Sequence, residues 1–234
     1  MEITYVYHSC FTVRLNDVVI LFDYPNNLGE EEECLIRKLV RGKRLVTLFS
    51  HGHLDHFNPN FLTLKDIVEE FYCIISYDIA EEYEELVGAC TVVTPGDSLN
   101  LYGFDIVAFE SSDRGVSYVL KINGVTLYFA GDNANWVRKE LSEELNLIIK
   151  RKFMNSIKSI ANSFGSTDVA FTPICITCED LGGITYVLTT LKPKLLIPIH
   201  LRGRTQIIRG LRTLLEKLAK NVFMYETLGD KVTF

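Results

Sequence analysis

Arg44-Leu45-Val46-Thr47-Leu48-Phe49-Ser50-His51-Gly52-His53-Leu54-Asp55-His56 carries three of the chain's five histidines in its last six residues. Leu45 to Phe49 is a short apolar run bounded by Arg44 and Ser50, the pattern of a buried strand. The histidines therefore sit at a strand's end. In extended chain His51 and His53 share a side, and a turn through Leu54 brings Asp55 and His56 round to face them. Neutral imidazole is the commonest ligand of zinc and related ions, and a carboxylate adds the hard oxygen that catalytic sites often carry. A histidine-rich polar surface loop is the competing reading. Three His and one Asp within six residues at a strand exit is too specific a pattern for that.

A chain of 234 residues buries a substantial core without staples, and a single domain over 1–234 is expected. Apolar residues make up 47% and charged residues 23%, which excludes a disordered chain. No apolar run approaches the ~20 residues of a membrane span, so no membrane partner is expected. Met1-Glu2-Ile3-Thr4-Tyr5-Val6-Tyr7 lacks the marks of a signal peptide, and a cytoplasmic location follows as an expectation. Cys10, Cys34, Cys73 and Cys90 stand in apolar or helical contexts and read as small buried hydrophobes. Cys175-Ile176-Thr177-Cys178 is a lone CxxC, weak as a metal or redox motif, and reads as an incidental loop pair.

The net charge of −6 argues against a broad nucleic-acid surface. Charge is unevenly spread: Lys and Arg number 9 against 20 Asp and Glu over residues 1–130, and 15 against 10 over 131–234. Lys150-Arg151-Lys152 and Arg202, Arg204, Arg209 and Arg212 supply much of the later excess, as solvated faces or as an attraction for an anionic substrate.

The pattern predicts strands at 2–7, 10–15 and 18–22, with His8 at the first corner and Asp23 after the third strand, each a turn or capping residue when taken alone. Glu30 to Arg41 reads as a helix with acids in its first turns and bases in its last. Beyond the histidines, Asn58-Pro59 opens a helix over 61–70, a strand follows at 72–76 and a helix at 79–87. Strands are predicted at 90–94, 98–101, 103–109, 116–122 and 125–130, the last two joined by Asn123-Gly124, a strong hairpin signal. One or two helices over 136–162, a strand at 168–172, a helix at 179–191, a strand at 194–199, an amphipathic helix at 205–219 and strands at 221–225 and 231–233 complete the chain. Two strand exits again carry ligand-type residues, Ala130-Gly131-Asp132 and Ile199-His200. The interleaving suggests two sheets packed face to face and covered by helices, an α+β class.

His51-Gly52-His53-Leu54-Asp55-His56, Gly131-Asp132 and the late His200 after Ile197-Pro198-Ile199 resemble the metallo-β-lactamase superfamily in order and rough spacing over nearly the whole chain. That resemblance implies a four-layer αβ/βα sandwich with one or two divalent ions at the sheet edge, zinc first, with manganese or iron as alternatives. Tyr7-His8-Ser9-Cys10-Phe11 and Leu21-Phe22-Asp23 also resemble the subgroup that includes the L-ascorbate-6-phosphate lactonases, which brings His8 toward the site. Carried over, His51 and His53 match the first metal site, Asp55, His56 and His200 the second, and Asp132 bridges them. The family's third histidine of the first site aligns with Ser112 in Glu110-Ser111-Ser112-Asp113-Arg114-Gly115-Val116. Either Asp113, Ser112 or a water takes its place, or the first site is weak and the protein works with one tightly held ion; oxygen in place of imidazole favours harder ions.

A metal-activated hydroxide attacking a small anionic ester, lactone or phosphodiester is the implied chemistry, with Asp55 and Asp132 as catalytic carboxylates. His8, Arg202 and Arg204 are the candidate substrate-binding residues, the arginines as grips for an anion. Trp136 either lines the pocket or anchors the core. A metal-binding sensor or pseudoenzyme is the second reading, on account of the missing histidine. A nucleic-acid-processing hydrolase is the third, opposed by the acidic total and by the lack of any added RNA-binding module.

Overall fold

The computed structural model describes all residues from Met1 to Phe234. It divides into two compact units, one of Met1–Val93, Arg202–Gln206 and Tyr225–Phe234, the other of Thr94–Leu201 and Ile207–Met224.

The first unit holds a seven-stranded sheet. β1 (Glu2–Tyr7), β2 (Cys10–Leu15) and β3 (Val18–Phe22) form an antiparallel meander with the predicted bounds, and the C-terminal strand Lys231–Thr233 pairs with β1. Asn16 turns the second corner with φ 53°. β3, β4 (Arg44–Phe49), β5 (Glu70–Ser76) and β6 (Thr91–Val93) then run parallel. Every residue of β3 and all but the first of β4 are buried, as expected where a parallel sheet is covered on both faces. Helix α1 (Glu30–Val40) connects β3 to β4, with Glu30 to Glu33 in its first turn, Arg37 and Lys38 in its last, and Ile36 and Val40 buried in the apolar cluster around Leu45, Phe49 and Phe61.

Two predicted helices are corrected here. Residues 59–67 form a 3₁₀ helix, Pro59–Ile67, instead of an α-helix over 61–70. Phe61, Leu64 and Ile67 recur every third residue, so a three-residue turn brings them all onto the core. The helix expected at 79–87 is shorter: α2 (Tyr77–Glu82) is followed by a single 3₁₀ turn, Glu84–Leu86. Cys73 and Cys90 are joined by a disulfide, which corrects their reading as separate thiols; the register Ile74↔Thr91 makes them neighbours.

The second unit holds a six-stranded sheet in the order β12-β11-β10-β9-β8-β7, from β7 (Ser98–Leu101), β8 (Phe104–Glu110), β9 (Val116–Ile122), β10 (Val125–Phe129), β11 (Val169–Pro173) and β12 (Leu195–Ile199). β7 to β10 are antiparallel and β10 to β12 parallel. Asn123 and Gly124 both have positive φ, 50° and 81°, as a two-residue hairpin of type I′ requires. Helices α3 (Glu143–Phe164), α4 (Asp180–Leu191) and α5 (Gln206–Leu218) complete it. Residues 136–142 are not helical: Asn146 accepts the Arg138 N–H and donates to the Arg138 carbonyl, and Ser142 caps α3 by accepting from Leu145 N–H. Residues 221–225 form one isolated bridge, Leu196↔Val222, and no strand. Cys175 and Cys178 are disulfide-bonded. Both sheets are mixed and both units carry helices, which is the α+β class. No helix is long and apolar enough to cross a membrane.

Candidate metal centre

β3, β4 and β5 run parallel, so Asp23, the histidine loop and Ser76 leave the first sheet at one edge, the carboxyl end where open α/β sheets place ligands. Asp23 follows β3 and is fully buried. Its Oδ1 accepts from Ser50 N–H at 2.8 Å, Ser50 Oγ lies 3.1 and 3.0 Å from its two oxygens, and its Oδ2 is 2.7 Å from His56 Nδ1. Ser50 Oγ also lies 3.0 Å from His51 Nδ1.

These contacts determine two tautomers. An ionised Asp23 only accepts, and in that state Ser50 donates its single hydroxyl proton to Asp23 and its oxygen accepts from His51 Nδ1–H. His56 likewise donates through Nδ1. Both rings therefore carry their lone pair on Nε2, the arrangement that second-shell oxygens impose on metal-ligating histidines. Burial pushes the Asp23 carboxyl up, against the opposing pull of His56 and Ser50. His51 Nε2 is 3.0 Å from His53 Nδ1. Two nitrogens bound to one ion at about 2.0–2.1 Å stand about 3 Å apart, so this donor pair fits a divalent cation. The turn itself is tight, with His56 and Phe57 N–H both bonded to the His53 carbonyl. Gly52 N–H donates to the buried Asp78 at 2.9 Å, a second carboxylate that anchors the loop.

Asp55 and His8 complete this half. Arg202 Nη2 donates to Asp55 Oδ2 at 2.7 Å, and His8 Nε2 is 3.4 Å from the same oxygen. The His8 contact, with the charges of His56 and Arg202, holds the Asp55 carboxyl well below the usual carboxylate range. His8, Asp55 and His56 each bring a ligand atom within 4.8 Å of the others. Arg204 is exposed on the same loop as Arg202.

In the second unit β8, β10 and β12 end at one sheet edge and deliver Ser112-Asp113, Asp132 and His200. Gly131 turns the backbone with φ 54° and is followed by Asp132, 3.4 Å from His200 Nε2 through Oδ2. Trp136 donates its indole N–H to the Asp132 carbonyl at 2.8 Å, with its ring 5.0 Å from that of His200. Of the two residues able to stand in for the missing histidine, Ser112 is committed to structure. Its Oγ donates to the Ala134 carbonyl at 2.7 Å and accepts Ala134 N–H at 2.9 Å. Asp113 is exposed and has a carboxylate oxygen within 4.8 Å of one on Asp132. Asn133, fully buried, accepts from Ser112 N–H and donates to Tyr128 and Ser156, which locks the two loops together.

His8, Asp23, His200 and Arg202 all have positive φ, between 50° and 67°. Backbone conformations this uncommon for residues with a side chain cluster at functional sites. Asp23, Ser50, Asp78 and Asn133 were not among the candidates from sequence. A hint existed for Asp23 alone, a carboxylate placed directly after a wholly apolar strand.

A family model described as "Beta-lactamase superfamily domain" matches residues 2–148. Igni18, a metallo hydrolase from Ignicoccus hospitalis, superposes with a TM-score of 0.67 at 18% identity, covering 100% of this chain and 97% of its own. The metallo-beta-lactamase fold protein YhfI from Bacillus subtilis gives 0.64 at 13% identity, over 99% of both chains. CmlA, a diiron beta-hydroxylase from Streptomyces venezuelae, also gives 0.64 at 13% identity; this chain covers 54% of it. At these identities the structural matches show the fold, that of the metallo-β-lactamases, and do not reach to the lactonase subgroup. No curated protein matches the sequence.

Proposed function

The chain belongs to the beta-lactamase superfamily, and from that premise we propose that it is a metal-dependent hydrolase acting on a small anionic ester, lactone or phosphodiester, with residues 1–234 working as one domain. The observation that carries this reading is the buried Asp23, which through Ser50 and directly sets His51 and His56 with Nε2 lone pairs to offer. A polar surface loop has no use for a buried carboxylate that orients two imidazoles; a metal site does.

In this proposal His51, His53, Asp55, His56, Asp132 and His200 are the ligands of one or two divalent ions. Asp113 stands in for the absent imidazole, and a carboxylate in that place favours manganese or iron over zinc. A bound ion would supply an acidified water and a Lewis acid for a carbonyl or phosphoryl oxygen. Asp55 and Asp132 are the carboxylates of the set able to steer that water and take up protons. Arg202 donates to Asp55 through Nη2, and Arg202 and Arg204, with His8, are the residues proposed to meet the substrate's negative charge. The acidic total of −6 supports a small substrate over a nucleic acid.

The test is a panel of phosphodiesters, carboxylic esters and lactones assayed with protein loaded in turn with zinc, manganese and iron. Turnover on one substrate class, abolished by Asp132→Ala, is the expected result. Full metal occupancy with silence across the panel would establish a sensor in place of an enzyme, and activity confined to RNA or DNA would establish the nucleic-acid reading.

A further inference from the structure

A fourth imidazole stands among the ligands proposed for the first unit. His8 is fully buried, its Nε2 lies 3.4 Å from Asp55 Oδ2, and its ring centre is 4.9 Å from that of His56. By proximity alone it is another metal ligand. Its second nitrogen argues otherwise. The backbone N–H of Arg202 donates to His8 Nδ1 at 3.0 Å, so Nδ1 holds the ring's lone pair and the single proton of the neutral imidazole is on Nε2. A nitrogen that carries a proton has no lone pair for a cation. His51 and His56 show the reverse arrangement, each backed at Nδ1 by an oxygen acceptor.

We propose that His8 is a positioning residue, not a ligand: the Arg202 guanidinium donates to Asp55 Oδ2 at 2.7 Å, and the His8 Nε2–H faces the same oxygen at 3.4 Å, beyond hydrogen-bond geometry in this structure, so that both groups hold Oδ2 and Oδ1 would be left for an ion. This rests on the metal-centre reading above. Arg202 serves both partners, its main chain holding His8 and its side chain holding Asp55, across 194 positions of sequence. The close approach this needs is built into the backbone. His8 and Arg202 have φ of 54° and 50°, and a Cβ at Gly203, itself at φ +73°, would lie 3.0 Å from the Tyr7 ring. Arg202 thereby acts on the ligand set.

Two-bond ¹H–¹⁵N spectra of histidine-labelled, metal-free protein read the ring tautomers directly, with His8→Gln used to assign the His8 signals. His8 protonated at Nε2, with His51 and His56 protonated at Nδ1, is the expected result; His8 protonated at Nδ1 would overturn the proposal. The second arm titrates Zn(II) and Mn(II) into wild type, His8→Ala and His8→Gln. His8→Ala should weaken binding about 10–100-fold, as losses of ligand-orienting partners do, and His8→Gln, whose amide N–H can still reach Asp55, should recover most of it. Equal losses in the two variants would mark His8 as a ligand. Failure of the wild type to bind either ion would sink the metal-centre reading, while the tautomer in the metal-free protein still decides the role of His8. The same spectrum decides it if a variant does not fold.

Discussion

Asp23→Asn keeps the shape of the buried carboxylate and removes one acceptor. With its oxygen on Ser50 N–H, the amide places an NH₂ group against His56 Nδ1, where the native Oδ2 accepts at 2.7 Å. Two donors cannot face each other, so His56 must move its proton to Nε2, taking away the lone pair offered to a metal. The Ser50 hydroxyl loses Oδ2 but keeps the remaining oxygen as an acceptor at 3.1 Å, so it still orients His51. Loss of an orienting partner costs about 10–100-fold in metal affinity, or about 1.4–2.7 kcal/mol. One ligand, His56, is inverted here, so a loss within that range is expected. The metal-free fold should suffer less, because a neutral amide is easier to bury than a carboxylate that burial already pushes toward protonation. A loss of about 1 kcal/mol would lower the melting temperature by about 2–4 °C in a domain of this size. Chelator-competition titrations with Zn(II) and Mn(II), beside thermal melts in excess chelator, separate the two effects. Native metal affinity in a folded Asp23→Asn protein would refute the argument.

Ser112→Ala and Asp113→Ala should split cleanly: the first destabilises by about 1–3 kcal/mol by stranding the Ala134 backbone groups, and the second leaves stability within about 0.5 kcal/mol while lowering metal stoichiometry or affinity, as urea unfolding and elemental analysis would show. At Asp168, burial pushes the carboxyl up, but the Lys194 ammonium and Thr126 N–H outweigh it and hold the group below its ordinary value. A depressed folded-state value gives stability that is complete above the unfolded value of about 3.9 and lost as pH falls through the folded one. Asp168→Asn should therefore cost about 1–2 kcal/mol at neutral pH and progressively less in acid; a penalty independent of pH would contradict this assignment. Cys73→Ser opens a link across 17 residues, for which chain entropy alone predicts a loss of about 3 kcal/mol, read as a lower urea midpoint than that of oxidised wild type.

The strands were legible because their burial repeats every residue or every second one, and because Asn16 and Asn123-Gly124 are turn residues whose positive φ the chain requires. The ligand candidates were legible because each stands directly after an apolar run. What escaped was long range. Asp23 meets Ser50 and His56 from 27 and 33 residues away, so the one local hint, its place after an apolar strand, does not by itself tell it from a turn residue. The Cys73–Cys90 link depends on the β5–β6 register, and the unwound segment before α3 depends on one side chain, Asn146, bonding back across eight residues. Ser112 and Asp113 were equal candidates until the Ala134 bonds of Ser112 removed one of them.

Anomalous scattering from crystals of metal-loaded protein, recorded on both sides of the manganese, iron and zinc edges, tests the central claim. The account predicts one or two peaks in bonding contact with His51, His53, Asp55, His56, Asp132 and His200, with an Asp113 oxygen in the place of the third imidazole. Protein that takes up no metal, or peaks that lie away from these residues, would contradict it.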